Sequence, residues 1–334
     1  MLMPSSDWIT QNSHGSSQVL PPRTLGPCDI YSAAGIPCVA AHSVVRALYA
    51  NYTGPLYRVS RSSDMASLNI DTHPGSGLAN ALAQDAFCNG TECHILRLFD
   101  QSPQGNHLDV ARAGGACNHT LRHVDATKDP ITVGGSNVYG AYFEGSEGYR
   151  NDRTTGVATG EGEQTMYMVT RGDHVNDGCC FDYGNAETDN MDDGEGTMEA
   201  IYFGTSKGWG YGQGDGPWIM LDLENGLWAG DVKEAPASSI TSKYVTAMAK
   251  GKLGGFTLKG GDAQQGVLQT LHEGKRPEGY EAMQKQGAII LGVGGDNSCW
   301  AVGTFYEGAM TAGFTSDATD AAVQANIVAA GYGQ

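Results

Sequence analysis

Positive charge is scarce in this chain. Its 334 residues hold 20 Lys plus Arg against 37 Asp plus Glu, so a phosphate backbone or an anionic membrane surface would be repelled rather than neutralised. Nucleic acid and membranes are therefore not expected partners. Long apolar runs are missing too: none could span a bilayer, and residues 1–22 show no charged segment followed by an apolar one, so no signal peptide is legible. CxxC pairs, HExxH and the phosphate-binding P-loop are absent, which removes zinc-ribbon, metalloprotease and nucleotide chemistry. No serine-nucleophile elbow, no cofactor and no metal is expected.

Cysteine, by contrast, is present eight times, and most of it falls in close pairs: Cys28 with Cys38, Cys88 with Cys93, and Cys179 next to Cys180. Without metal-ligand spacing or a matching histidine array, such pairs read as disulfides made in an oxidising compartment. Sequons at Asn51, Asn89 and Asn118 point the same way. A secreted, extracellular glycoprotein is expected, its leader removed or replaced.

Glycine and tyrosine are plentiful, at 48 and 15, which suits many short strands joined by tight turns. Residues 1–25 are polar and aperiodic and read as a disordered leader or appended remnant; residues 26–334 read as one domain. Helical spacing predicts helices over 39–51, 77–87 and 316–330, the last capped by Ser316 and ended by Gly331. Strands are predicted at 56–59, 94–99, 137–144, 165–170, 197–203, 218–224, 244–250, 255–258, 267–271, 288–293 and 303–310. The density of short strands implies an all-β sandwich or barrel with a few peripheral helices.

The run Gly216 to Gly226 dominates the functional reading. As a strand of period two it sets Ile219, Leu221 and Leu223 on one face and Trp218, Met220, Asp222 and Glu224 on the other. Carboxylates beside an aromatic suit glycoside hydrolysis, which needs two acids near a sugar-stacking surface; the plainer alternative is a sheet edge with its acids in water. A second run, Gly287 to Asn297, reads as a buried central strand whose Gly294-Gly295 end lets a ligand approach and delivers Asp296 to a rim; an ordinary turn is the alternative. Asp222 and Glu224 lie about 6.6 Å apart along one strand, but they would emerge in parallel. Acid and nucleophile must reach different sides of the scissile centre, so Glu224 with Asp296 is the better couple, with Asp222 positioning a hydroxyl or tuning Glu224.

Trp209, flanked by glycines, is a candidate stacking platform. Adjacent Cys179 and Cys180 would bond only through a strained ring, and on general grounds each is expected to pair elsewhere. The acidic run Glu187, Asp189, Asp192, Asp193 and Glu195 lacks the order of an EF-hand calcium loop.

Taken together, Gly-Pro-Cys-Asp-Ile-Tyr at 26–31, Cys-Cys-Phe-Asp-Tyr-Gly-Asn-Ala-Glu-Thr at 179–188, Met-Glu-Ala-Ile-Tyr-Phe-Gly at 198–204, Asp-Leu-Glu-Asn-Gly at 222–226, Gly-Gly-Asp-Asn-Ser at 294–298 and Thr-Phe-Tyr-Glu-Gly at 304–308 resemble the catalytic domain of glycoside hydrolase family 54. The resemblance runs from about Gly26 to the C-terminus. It implies a β-sandwich of jelly-roll (concanavalin-like) type and a retaining, exo-acting α-L-arabinofuranosidase. The implied partner is an arabinofuranose-containing glycan such as arabinan or arabinoxylan, cleaved by a monomer. It also implies that Glu224 is the nucleophile and Asp296 the acid/base, and that Trp209, Asp222, Asn225, Gly295 and a vicinal Cys179–Cys180 disulfide line the sugar pocket. Cys28–Cys38 and Cys88–Cys93 would be the other bridges, and this reverses the general expectation for the adjacent cysteines. Cys117 and Cys299 fall outside that set and could pair with one another. Cys299-Trp300 stands where small or polar residues are expected, and the family's usual arabinose-binding trefoil has no counterpart after the closing helix. Another furanoside, of D-arabinose or galactose, and a non-catalytic glycan-binding sandwich are the alternatives.

Overall fold

Antiparallel pairing of short strands satisfies the backbone over most of the chain. The computed structural model of the protein describes residues 23–334, so the expected leader lies outside the described residues except for positions 23–25. The first part of the chain supplies α1 (Pro27–Ala33), β1 (Cys38–Ser43), β2 (Pro55–Arg61), β3 (Ser67–Asp71), α2 (Ala81–Cys88), β4 (Cys93–Leu98), β5 (Leu108–Val110), β6 (Asp129–Val133), β7 (Ser136–Phe143) and β8 (Tyr149–Asn151). The middle supplies β9 (Gln164–Arg171), β10 (Asp182–Ala186), β11 (Glu199–Gly204), β12 (Tyr211–Gln213), β13 (Trp218–Asp222), β14 (Leu227–Trp228) and β15 (Glu234–Ser238). The last part adds β16 (Tyr244–Lys252), β17 (Gly255–Asp262), β18 (Gln265–Lys275), β19 (Ala288–Leu291), β20 (Gly303–Thr311) and α3 (Asp317–Ala329).

Two sheets form the sandwich. One has ten strands in the order β14-β13-β11-β10-β19-β8-β5-β4-β2-β3; the other has eight, β18-β17-β16-β9-β20-β7-β6 with β1 added beside β20. Between them Tyr183, Ile201, Phe203, Ile219 and Leu221 of the larger sheet pack in one cluster with Met168, Met248, Leu258 and Phe305 of the smaller. Alternate residues point the other way, so Tyr202, Trp218 and Met220 form a second cluster on the outer face with Cys180, Leu227, Ala235 and Ala237. A small β12–β15 ribbon supplies part of that cover. The strand Trp218–Asp222 is therefore buried on both faces, unlike a sheet edge with one face in water.

The all-β expectation holds, and so do the capped closing helix, where Ser316 accepts from Thr319 N, and the Gly331 stop with φ +73°. The helix expected over 39–51 does not form. Cys38–Ser43 instead pairs with β20 in the register Ala41↔Ala309 and His42↔Gly308, and all six residues are buried; a short apolar run can serve either structure, and a partner strand decides it. The helix expected from residue 77 begins only at Ala81, because Asn80 caps it and Leu78 and Ala79 are held in bridges to Arg46 and Thr72.

At one end of β11, Glu199 is fully buried and accepts from Lys285 Nζ at 2.9 Å and Gln164 Nε2 at 2.7 Å. Lys285→Met would leave a buried carboxylate without its cation, and we expect a loss of about 3–5 kcal/mol, measured by urea denaturation at neutral pH.

Candidate active site

The site lies on the outer face of the ten-stranded sheet around β10, whose start pairs with the end of β19 and whose Gly184 lies across β11 from Asp222 at the end of β13. Asp222 closes β13, and the chain turns at once: Leu223 N donates to Gly226 O at 3.1 Å, and Asp222 pairs with Leu227 across the hairpin. Glu224 and Asn225 occupy the tip with φ +64° and +53°. Positive φ at both central residues is the signature of a hairpin turn that follows the sheet's twist, and it is natural for asparagine but unfavourable for glutamate. Glu224 N donates to Asp222 Oδ1 at 3.1 Å, tying the two acids together. The strand alternation expected over 218–224 thus stops at Asp222. The turn, not the pleat, aims Glu224.

Asp296 arrives from the other direction, five residues beyond the end of β19. Gly294 N and Asn297 N close the loop onto Ser298 O and Gly294 O, and Ser298 N and Oγ both donate to Asp296 Oδ1, at 2.8 and 2.6 Å. Gly295 is required by what lies beneath it: a Cβ there would stand 2.0 Å from Glu187 Oε2. The same loop is sewn to the adjacent cysteines, since Cys180 N donates to Ser298 O and Trp300 N to Cys179 O. Cys179 and Cys180 are bonded to each other, against the general expectation that each pairs elsewhere and in the manner of the family resemblance. Cys117 and Cys299 are bonded as well, as are Cys28–Cys38 and Cys88–Cys93.

These elements enclose a pocket of about 350 Å³ lined by Cys179, Cys180, Trp209, Asp222, Glu224, Asn225, Gly294, Gly295, Asp296 and Ser298. Every residue expected at the sugar site is in this lining. Trp209 is 42% exposed, which leaves its ring free to meet a ligand. Asn225 is exposed at the hairpin tip, its amide donating to Asp192 Oδ1 at 3.1 Å. The Cys180 sulfur, which carries no proton in the disulfide, stands 3.4 Å from Asp222 Oδ2.

Two further acids lie behind the pocket wall. Asp182, at the start of β10, and Glu187, just past its end, are both fully buried. Glu187 Oε1 accepts from Thr197 Oγ1 at 2.5 Å, and its carboxyl also meets that of Glu224. No pattern in the sequence marks Asp182, and Glu187 is marked only as the first of an acidic run, because a single acid looks like any surface residue until its neighbours are known. The nearest cation is Arg150, but its guanidinium donates to the carbonyls of Glu187 and Gly295 rather than to the pocket acids. Burial first, and then Asp222, Glu187, Asp296 and Asp192, push the Glu224 carboxyl up to about 11. Burial likewise lifts Asp222 to about 7, against the hydrogen bonds from Asp182 and Glu224 N that pull it down.

Two expectations need correction or limit. Gly204-Thr205-Ser206-Lys207-Gly208 does have the spacing of a nucleophile elbow, although none was expected; β11 leads into a loop there rather than a helix, and Ser206 Oγ accepts only from Gly208 N at 3.4 Å. In the acidic run, Glu187 is turned inward to Thr197, while Asp192 and Asp193 bind Asn225 and Gln286. Among the described residues the one group close enough to share an ion is Cys179, Cys180 and Asp222, and a disulfide leaves no thiolate there to ligate. Asn51, Asn89 and Asn118 are all exposed.

A β-sandwich with a small acidic pocket, an exposed tryptophan at its mouth and carboxyls from two separate segments has the architecture of a carbohydrate-active domain. Residues 27–333 match the family described as alpha-L-arabinofuranosidase B, catalytic, and the chain belongs to that family. It is 52% identical over 316 residues to alpha-L-arabinofuranosidase B of Emericella nidulans, covering 92% of this chain and 62% of that one. To the arabinofuranosidase/B-xylosidase of Trichoderma koningii it is 53% identical over 315 residues, covering 92% and 63%. A crystal structure of arabinofuranosidase complexed with arabinofuranosyl-alpha-1,2-xylobiose superposes with a TM-score of 0.90 at 49% identity, over 92% of this chain and 66% of that chain. The chain thus spans somewhat under two thirds of the length of these relatives.

The raised acids have a cost that depends on pH. A carboxyl whose folded-state pKa lies above its unfolded value keeps a proton that the unfolded chain has released, so stability is lost as pH climbs from the unfolded value toward the folded one. For Asp222 that window runs from 3.8 to about 7, and for Glu224 from 4.5 to about 11. Tm is therefore expected to fall from about pH 5 to about pH 8. Glu224→Gln should flatten that fall and melt above the unmutated protein at the upper end, as read by calorimetry.

Proposed function

We propose that this chain is the catalytic domain of a secreted, retaining, exo-acting α-L-arabinofuranosidase that releases terminal arabinofuranose from arabinan- or arabinoxylan-type glycans. The observation that carries the reading is that Glu224 and Asp296, from different loops, line one pocket together with the exposed Trp209. Four disulfides and exposed sequons support the secretion.

In the proposed mechanism Glu224 attacks the anomeric carbon while the glycosidic C–O bond breaks and the leaving oxygen takes the Asp296 proton. Asp296, now ionised, removes a proton from water; the water oxygen attacks the same carbon, and Glu224 leaves as a carboxylate. Burial and the neighbouring acids hold a proton on Glu224 in the free protein, and its loss gives the carboxylate that attacks the sugar. The acids that disfavour charge on Glu224 also favour positive charge on the sugar, which is what the oxocarbenium-like transition state develops.

Since Asp296 protonates the departing group, its loop marks the leaving-group side. Trp300, 57% exposed and tied through its N–H to Cys179 O, belongs to that loop and is proposed to meet the next sugar. The dual name of the Trichoderma koningii relative supports a second reading, in which β-xylosides are also cleaved.

We expect the protein to hydrolyse 4-nitrophenyl α-L-arabinofuranoside and Glu224→Gln to abolish turnover. Asp296→Asn should lose about 10²–10⁴-fold on arabinoxylo-oligosaccharides and much less on the aryl substrate, whose leaving group needs little protonation. A panel including D-arabinofuranoside, galactofuranoside and β-xyloside tests the sugar. Binding of arabinose without turnover by the unmutated protein would instead make this a glycan-binding sandwich, and covalent trapping of the sugar on Asp296 would exchange the two roles.

A further inference from the structure

Asp182 has no part in the mechanism above, yet it is fully buried within the acid cluster. In the sheet register Asp182 stands opposite Tyr202 and Asp222 opposite Ala200, so the two acids flank β11 diagonally and the small Ala200 leaves room between them. Asp182 is fully buried, and among the described residues neither of its oxygens accepts a hydrogen bond. Asp222 is the group placed to share one with it, which it can do only if one of the two carboxyls carries a proton. The charged and titratable groups around it are Asp222 and Glu224 from the β13 hairpin, Asp296 from the loop after β19 and Tyr202 from β11. Among the described residues no lysine, arginine or histidine hydrogen-bonds to it.

Two ionised carboxylates have no proton to share, so a contact of this kind needs one of them neutral. Asp222 borders the pocket and accepts from a backbone N–H, which favours its charged form. Asp182 has neither water nor a donor, and an unpaired charge there would carry the full penalty of burial.

We infer that Asp182 is a positioning residue that keeps its proton throughout turnover and donates it to Asp222, holding that carboxylate in place as the acceptor for a hydroxyl of the bound sugar. The inference rests on the furanosidase reading for the sugar, but not for the proton. Burial, followed by the charge on Asp222, pushes the Asp182 carboxyl well above its ordinary value, in the same direction. The arrangement also leaves one negative charge fewer beside Glu224.

Asp182→Asn and Asp182→Ala in the full chain test this. Asparagine keeps the size, the neutrality and a donor; we expect it to leave both limbs of the kcat/KM pH profile in place and the value within a few-fold. Alanine removes the donor, so Asp222 becomes harder to ionise: kcat/KM should fall about ten- to a hundredfold, as for a lost hydrogen bond to a charged group, with its acid limb moved to higher pH. The infrared difference spectrum between unmutated protein and Asp182→Asn at neutral pH should show one protonated-carboxyl C=O stretch lost. A downward shift of the acid limb in Asp182→Asn would mean that a negative charge had been removed, and would overturn the inference. So would an unchanged carboxyl band. The infrared arm needs neither activity nor a folded alanine variant, so absence of hydrolysis by the unmutated protein would sink the furanosidase reading while leaving the proton assignment separately decided.

Discussion

Five carboxyl groups, those of Asp182, Glu187, Asp222, Glu224 and Asp296, are gathered at one place with no cation of the described residues hydrogen-bonded to them, and the local architecture follows from that repulsion. Like charges so close do not all ionise. Protons must be shared, and the protein must supply the rigidity to keep the group together. Arg150 comes nearest to neutralising it, but its guanidinium is spent on Asp152 and on backbone carbonyls of the surrounding loops. It fixes the walls and leaves the acids to one another.

The rigidity comes from the sheet and from covalent links. β13 is sandwiched between two apolar clusters, and Trp218 alone, fully buried with its indole N–H donating to Gln213 O, contributes on the order of 1.5–3 kcal/mol of side-chain burial. The Asp296 loop is held from three sides, by the Cys117–Cys299 bridge, by the backbone bonds to Cys179 and Cys180, and by Ala116 N donating to Asp296 O. A glutamate at positive φ persists only where its surroundings determine it this strongly. The strained turn and the crowded acids thus depend on the same packing.

Much of this was legible in the sequence, and the parts that were not have physical reasons. Period-two runs marked most strands of both central layers, and Glu224 and Asp296, singled out from separate segments, do line one pocket. The turn at Glu224 was hidden because Leu223-Glu224 continues the alternation of the strand before it, which set Asn225-Gly226 beyond the strand instead of making Glu224 part of the turn. Cys38–Ser43 looked helical because its pairing partner lies more than 260 residues away. Asp182 was unmarked, and Glu187 stood out only as one of an acidic run, for a related cause: their character comes from neighbours on other strands, and a carboxyl's chemistry depends on what else shares its space.

In the proposed mechanism the same acids would let one pocket serve both halves of a double displacement. Glu224, buried and surrounded by negative charge, is a poor resting anion, but its charge becomes favourable as the sugar acquires positive charge. Asp296 is half-buried and held through a single oxygen by Ser298, so its other oxygen is left to trade a proton with the leaving group and then with water. An apolar wall around Glu224 would raise it equally without stabilising the transition state. Acids placed behind it do both, because the potential that keeps a proton on Glu224 in the empty pocket is the same potential that a cationic anomeric centre meets.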